Sequence, residues 1–97
     1  KLRPVVILQV MPPFADCLVC AVSSQLHHEC PGFDEIIDSS DGDFAASGLK
    51  VSSLIRLGLI ATIPQSAIPG TLGVISPARL KRLRDRLAAH IMDVPGE

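Results

Sequence analysis

Most of this chain interrupts its own apolar runs, and the interruptions leave room only for short strands. Val5-Val6-Ile7-Leu8 meets the polar Gln9, and Pro12-Pro13 then removes two donors that any ladder would need. Cys17-Leu18-Val19-Cys20-Ala21-Val22 is apolar on both faces, as in a strand covered on each side, and ends at Ser23-Ser24-Gln25. Pro31-Gly32 closes the next connection, and the Ser-, Asp- and Gly-rich stretch 39–48 reads as a loop. This punctuation predicts strands at 4–10, 17–23, 33–38, 49–57, 59–63 and 71–75, about six in all, with 33–38 partly exposed and 64–69 as a turn or one helical turn.

The first strand carries a charge at its mouth. Pro4 pushes Arg3 towards extended backbone and itself suits the first position of a strand, so Arg3 leaves the sheet at a defined angle. A lone strand-end arginine is most often a solvated surface charge, and its meaning depends on what lies beside it.

One long helix is expected, at the C-terminal end. Ser76-Pro77 supplies an N-cap and a first-turn proline, and Leu80, Leu83, Leu87 and Ile91 recur at three- and four-residue spacing to form a core-facing stripe. Arg79, Lys81, Arg82, Arg84 and Arg86 lie among them with the single acid Asp85. The commoner reading of such a pattern is a solvated face opposite the stripe, and the rarer one is a footprint for RNA. Residues 29 to 43 bring six acids and no cation, and the net charge is −1. Any contact with nucleic acid must therefore come from local arrangement.

Composition narrows the class. With 47% apolar residues, three Phe and no Trp or Tyr, the core is aliphatic. A chain of 97 residues is expected to be a single domain, 1–97, of modest stability that a partner subunit would raise. No apolar run approaches the ~20 residues that cross a bilayer, and no secretory signal follows Lys1, so a soluble, cytoplasmic protein is expected. Cys17 and Cys20, with His27, His28 and Cys30 nearby, have the chemistry of zinc ligands. Residues three apart on a strand point to opposite faces, however, so no metal or other cofactor is expected, and the cysteines read as small core residues.

The motifs in order carry a resemblance. Arg3-Pro4-Val5-Val6-Ile7-Leu8-Gln9, Ala21-Val22-Ser23-Ser24-Gln25, Gly48-Leu49-Lys50-Val51-Ser52-Ser53-Leu54-Ile55-Arg56, Ile60-Ala61-Thr62-Ile63 and Gly73-Val74-Ile75-Ser76 resemble the MazF/PemK toxins of bacterial type II toxin–antitoxin systems, over residues 1 to about 92. The resemblance implies a mainly β fold with a C-terminal α-helix, a small SH3-like or CcdB-like barrel. It also implies a homodimer, a cognate antitoxin as partner, and sequence-specific cleavage of single-stranded RNA. Cleavage without a metal uses the neighbouring 2′-hydroxyl as nucleophile, so the protein must move two protons and stabilise a phosphorane.

Arg3 has the planar, permanent charge suited to that last task. Ser23 stands where the family carries a catalytic threonine, and its hydroxyl would orient the scissile phosphate or relay a proton. Arg56 matches an arginine that some members use as general acid or phosphate contact. Ser24 and Gln25 are the expected substrate contacts, Gln25 by reading a base edge. The family pattern places a further strand and loop ahead of Arg-Pro, with no counterpart in this sequence. Gly58 replaces a carboxylate, and Ala61 and Pro64 replace the Arg and Asp that flank Thr-Ile. The scarcity of aromatics removes the usual stacking platforms, so RNA binding is expected to be weak or to lean on arginine stacking. Two alternatives stay open: a silent dimeric module that binds an antitoxin peptide, and a CcdB-type inhibitor of a protein target such as gyrase.

Overall fold

The computed structural model describes residues 3–93. Four strands, β1 (Val5–Met11), β2 (Asp16–Ser23), β3 (Glu35–Ile37) and β4 (Ser53–Ile63), form one antiparallel sheet in the order β1-β2-β4-β3, curled into a half-barrel. A one-turn helix, α1 (Phe44–Ser47), lies between β3 and β4, and the long helix α2 (Pro77–Met92) follows. Turns of 3-10 helix occupy Leu26–His28 and Gln65–Ala67. The second of these is the helical turn expected after Pro64.

The sheet has fewer and longer strands than the apolar runs suggest. Segments 49–57 and 59–63 are one strand, because pairing with β2 resumes beyond an irregularity that skips from Arg56, opposite Ala21, to Ile60, opposite Cys20. Gly58 lies in that irregularity and does not end the strand. Leu49–Ser52 is instead a connection, tied down where the Ser52 hydroxyl donates to Asp38 Oδ1 at 3.1 Å and accepts from Ser39 N at 2.8 Å. Segment 71–75 is not a strand. It crosses the end of α1, where Val74 N donates to the Ala46 carbonyl at 2.9 Å, and a Cβ on Gly73 would sit 2.1 Å from that same oxygen. The 33–38 strand shortens to Glu35–Ile37, and Glu35 and Ile37 are buried rather than exposed.

Helix α2 covers one face of the sheet. Val6, Leu8, Cys20, Val22, Ile37, Ile55 and Leu57 pack with Leu83 and Leu87 in a single aliphatic cluster, each full burial contributing roughly 1.5–3 kcal/mol. The helix begins as expected, with the Ser76 hydroxyl accepting from Arg79 N at 3.1 Å and Pro77 in the first turn. The stripe is shorter than the leucine spacing implies: Leu80 is half-buried and Ile91 is exposed. Cys20 belongs to this cluster, where burial and the charge of Asp34 push its thiol up to about 12. Cys17, an odd number of residues away on a regular strand, is buried on the other face, and Cys30 is exposed.

The cations of α2 are only in part a solvated face: Lys81, Arg82 and Arg84 are exposed, but Arg79 is buried and Arg86 half-buried. Arg79 is only 6% exposed and reaches three acids of the 29–43 segment: Glu35 at 2.8 Å, Asp41 at 2.9 Å and Asp43 at 2.9 Å. Arg82 pairs with Glu35 at 2.9 Å and Arg86 with the same carboxylate at 3.2 Å. Arg84 Nε donates to the Leu8 carbonyl at 2.6 Å, at the point where a register shift makes Leu8 the extra residue of β1. Lys81 is paired only with Asp85, one turn on along the same helix. The hydrogen bonds from Arg79 hold the Asp43 carboxyl far below its usual range, and no buried side-chain nitrogen or oxygen among the described residues lacks a partner. The acid-rich segment and the basic helix are thus two halves of one clamp, in which Arg79, Arg82 and Arg86 are paired with acids.

Candidate active site

Strand alternation sorts the candidate residues onto the face away from α2. Val22 and Ile55 are cross-strand partners in the helix-side cluster, so their neighbours Ala21, Ser23 and Arg56 point to the opposite face. On β1, Val5 pairs with Ala21, and Val22 N donates to the Pro4 carbonyl at 3.3 Å. Continued two residues beyond Val5, the same register would set Arg3 level with Ser23. Pro4 accomplishes what its position in the sequence implies, keeping the chain extended just long enough to deliver Arg3 beside the end of β2.

Arg3, Ser23, Ser24 and Gln25 all line one cavity of about 270 Å³, whose other wall comes from the Leu49–Ser53 connection. Arg3, Ser24 and Gln25 are exposed there and Ser23 is half-buried. The Ser23 hydroxyl oxygen accepts from Gln25 N at 3.0 Å, which closes a tight turn and leaves the hydroxyl proton to donate elsewhere. The Gln25 side chain does not cap the 3-10 turn that follows it, so its amide is not committed to the backbone there.

Arg56 does not line this cavity. It is half-buried on the same sheet face, opposite Ala21, and stands as the diagonal neighbour of Ser23 at roughly 7–8 Å. Neither Arg3 nor Arg56 forms an ion pair among the described residues. The cavity lining contains no carboxylate and no imidazole, but it does contain a cation that strand-level reasoning missed. Lys50 was absorbed into an expected strand. Its isolation was the available signal, since it is the only cation between Arg3 and Arg56.

Among the described residues no helix is long and apolar enough to cross a membrane, and no group of three His, Cys, Asp or Glu side chains is arranged to hold a metal ion. The family model described as PemK-like, MazF-like toxin of type II toxin-antitoxin system matches residues 1–91. The chain belongs to this toxin family. No curated protein matches it. The curled antiparallel sheet with its C-terminal helix is consistent with the MazF/PemK fold, and membership makes the chain a toxin component with an antitoxin as its counterpart.

Proposed function

We propose that this toxin is a metal-independent endoribonuclease that cuts single-stranded RNA at a short sequence and leaves 2′,3′-cyclic phosphate and 5′-hydroxyl ends. The observation that carries the reading is that Arg3 and Ser23 line one cavity in which no acid takes part. In the reaction the substrate's 2′-oxygen forms a bond to phosphorus while the bond to the 5′-oxygen breaks. The 2′-hydroxyl loses a proton and the departing 5′-oxygen gains one. Arg3 donates two parallel hydrogen bonds to the non-bridging oxygens as negative charge builds on them. Ser23, its oxygen already engaged by Gln25 N, donates its proton to the same phosphate and fixes its orientation. Arg56 supports the neighbouring phosphate or the leaving group from the same face, and Ser24 and Gln25 contact the adjoining nucleotide, Gln25 at a base edge.

The active form is proposed to be a cytoplasmic homodimer that a cognate antitoxin silences. Leu59 and Ile60 on β4, with Leu72 and Val74 beside α1, are large apolar side chains left exposed, and a second copy would cover such surface. The test is incubation of the purified, folded chain with a long single-stranded RNA in excess EDTA, followed by mapping of cut sites and end groups. Cuts at one motif with cyclic-phosphate and 5′-hydroxyl ends support the reading.

A second reading, a silent module that binds an antitoxin peptide, is favoured by a specific observation: neither the cavity lining nor Gly58 offers a carboxylate to act as base. No cutting by folded protein, together with retained binding of the antitoxin, selects it over the nuclease. Binding to gyrase or another protein target in place of RNA selects the CcdB-type alternative.

A further inference from the structure

The connection after α1, which lines the cavity together with Arg3, is held more firmly than a surface connection needs to be. Gly48 ends α1 in the left-handed region with φ +74°, and a Cβ there would meet the Leu72 carbonyl oxygen at 2.3 Å. Gly73 makes the reciprocal approach to Ala46 and Ser47. Two stretches of backbone therefore cross in contact immediately before Leu49-Lys50. On the other side of Lys50, the Ser53 hydroxyl donates to the Val51 carbonyl at 2.8 Å, and Ser52 is tied to Asp38 and Ser39. Lys50 thus sits between two fixed points of an otherwise exposed connection. It lines the cavity that Arg3 and Ser23 share, and it forms no ion pair among the described residues.

A cavity lined by two cations without ion-pair partners among the described residues, and by no acid, is suited to a ligand with more than one anionic group. The endoribonuclease reading supplies such a ligand in consecutive phosphates of one strand. Resting on that reading, we infer that Lys50 is a substrate-binding residue that contacts the phosphate next to the one held by Arg3 and Ser23, so that the Leu49–Ser53 connection forms a second phosphate subsite. Lysine suits this role as a point charge, since an adjacent phosphate needs attraction and not bidentate geometry. Cleavage then depends on Lys50 through binding of the strand, while the chemistry remains with Arg3 and Ser23.

The probe is a single-stranded RNA bearing 2′-O-methyl groups throughout, which keeps every phosphate and cannot be cut. Its affinity is measured against salt concentration for the unaltered protein, Lys50→Gln, Lys50→Arg and Lys81→Gln, alongside cleavage of ordinary RNA. Lys50→Gln should weaken binding roughly tenfold at low salt and lower the salt slope by about 0.7–1. It should raise KM far more than it lowers kcat. Lys50→Arg should restore affinity, and Lys81→Gln, on the outer side of α2, should leave it unchanged. An unchanged slope in Lys50→Gln, while the unaltered protein binds and cleaves, overturns this inference and spares the nuclease reading. Failure of the unaltered protein both to bind and to cleave overturns the two together.

Discussion

The backbone N–H of Gln25 donates to the hydroxyl oxygen of Ser23 at 3.0 Å, which fixes where that hydroxyl stands. With one oxygen lone pair engaged, Ser23 keeps its proton to donate and a second lone pair to accept. The turn at the end of β2 and the chemistry proposed for the site therefore depend on the same atom.

Ser23→Ala should accordingly have two effects that can be separated. Loss of the turn's acceptor costs about 0.5–1.5 kcal/mol, read from urea unfolding. Loss of the donor should slow RNA cleavage far more than that loss of stability accounts for. Ser23→Thr keeps both bonds and should retain most activity. Arg3→Lys should keep a cation in place yet lose about 10²–10³-fold in cleavage rate, because the guanidinium fork is gone. Full activity in both Ser23→Ala and Arg3→Lys would remove the roles assigned here.

Arg79→Ala should destabilise the fold by about 3–5 kcal/mol, since it strips buried carboxylates of their main partner. Arg82→Ala should cost less than about 1 kcal/mol, because that side chain is half exposed to water. Equilibrium unfolding in urea distinguishes the two, and equal losses would show that burial is not what sets the value of these pairs.

Acid should unfold the protein through the same clamp. The Asp43 carboxyl is depressed in the folded state by the hydrogen bonds of Arg79, and Asp38 is lowered by its bonds from Ser40 and Ser52. A group depressed on folding binds its proton more readily in the unfolded chain. Its contribution is therefore complete above the unfolded carboxylate pKa of about 4 and is lost as pH falls below it. Stability should be level from about pH 5 to 7 and decline steadily beneath pH 4. In Arg79→Met that decline should be markedly shallower.

The crossing beside α1 predicts a contrast between two glycines of one loop. Gly73→Ala should destabilise by more than about 1 kcal/mol, since its methyl would collide with backbone carbonyls of α1. Gly70→Ala meets open space and should be neutral or slightly stabilising. Thermal unfolding of the pair reads this directly.

The elements legible in the sequence were those with local causes. Ser76-Pro77 and the leucine spacing marked α2, and Pro12-Pro13 with Ser23-Ser24 bounded the β1–β2 hairpin, whose register, continued beyond Val5, would set Arg3 level with Ser23. What escaped was set by distant contacts. Thr71 to Ile75 has the composition of a strand, but its backbone is drawn to α1, where Val74 N finds Ala46. Arg79 looks like any other cation of α2, and its partners Asp43 and Glu35 lie 36 and 44 residues away. Lys50 became part of the site only through Gly48 and Leu72, an approach no local pattern announces.

The clamp between α2 and the acidic segment also shapes the field of the molecule. Because Arg79, Arg82 and Arg86 spend their charge on Glu35, Asp41 and Asp43, that side of the protein offers little to an approaching polyanion. Arg3, Lys50 and Arg56 keep theirs, and Arg3 and Arg56 project from the opposite sheet face while Lys50 shares the Arg3 cavity. With a net charge of only −1, where a charged strand is drawn depends on such local arrangement. The ion pairs that hold α2 to the sheet thereby leave Arg3 and Lys50 at the cavity as cations free to attract it and to steer the encounter before contact forms.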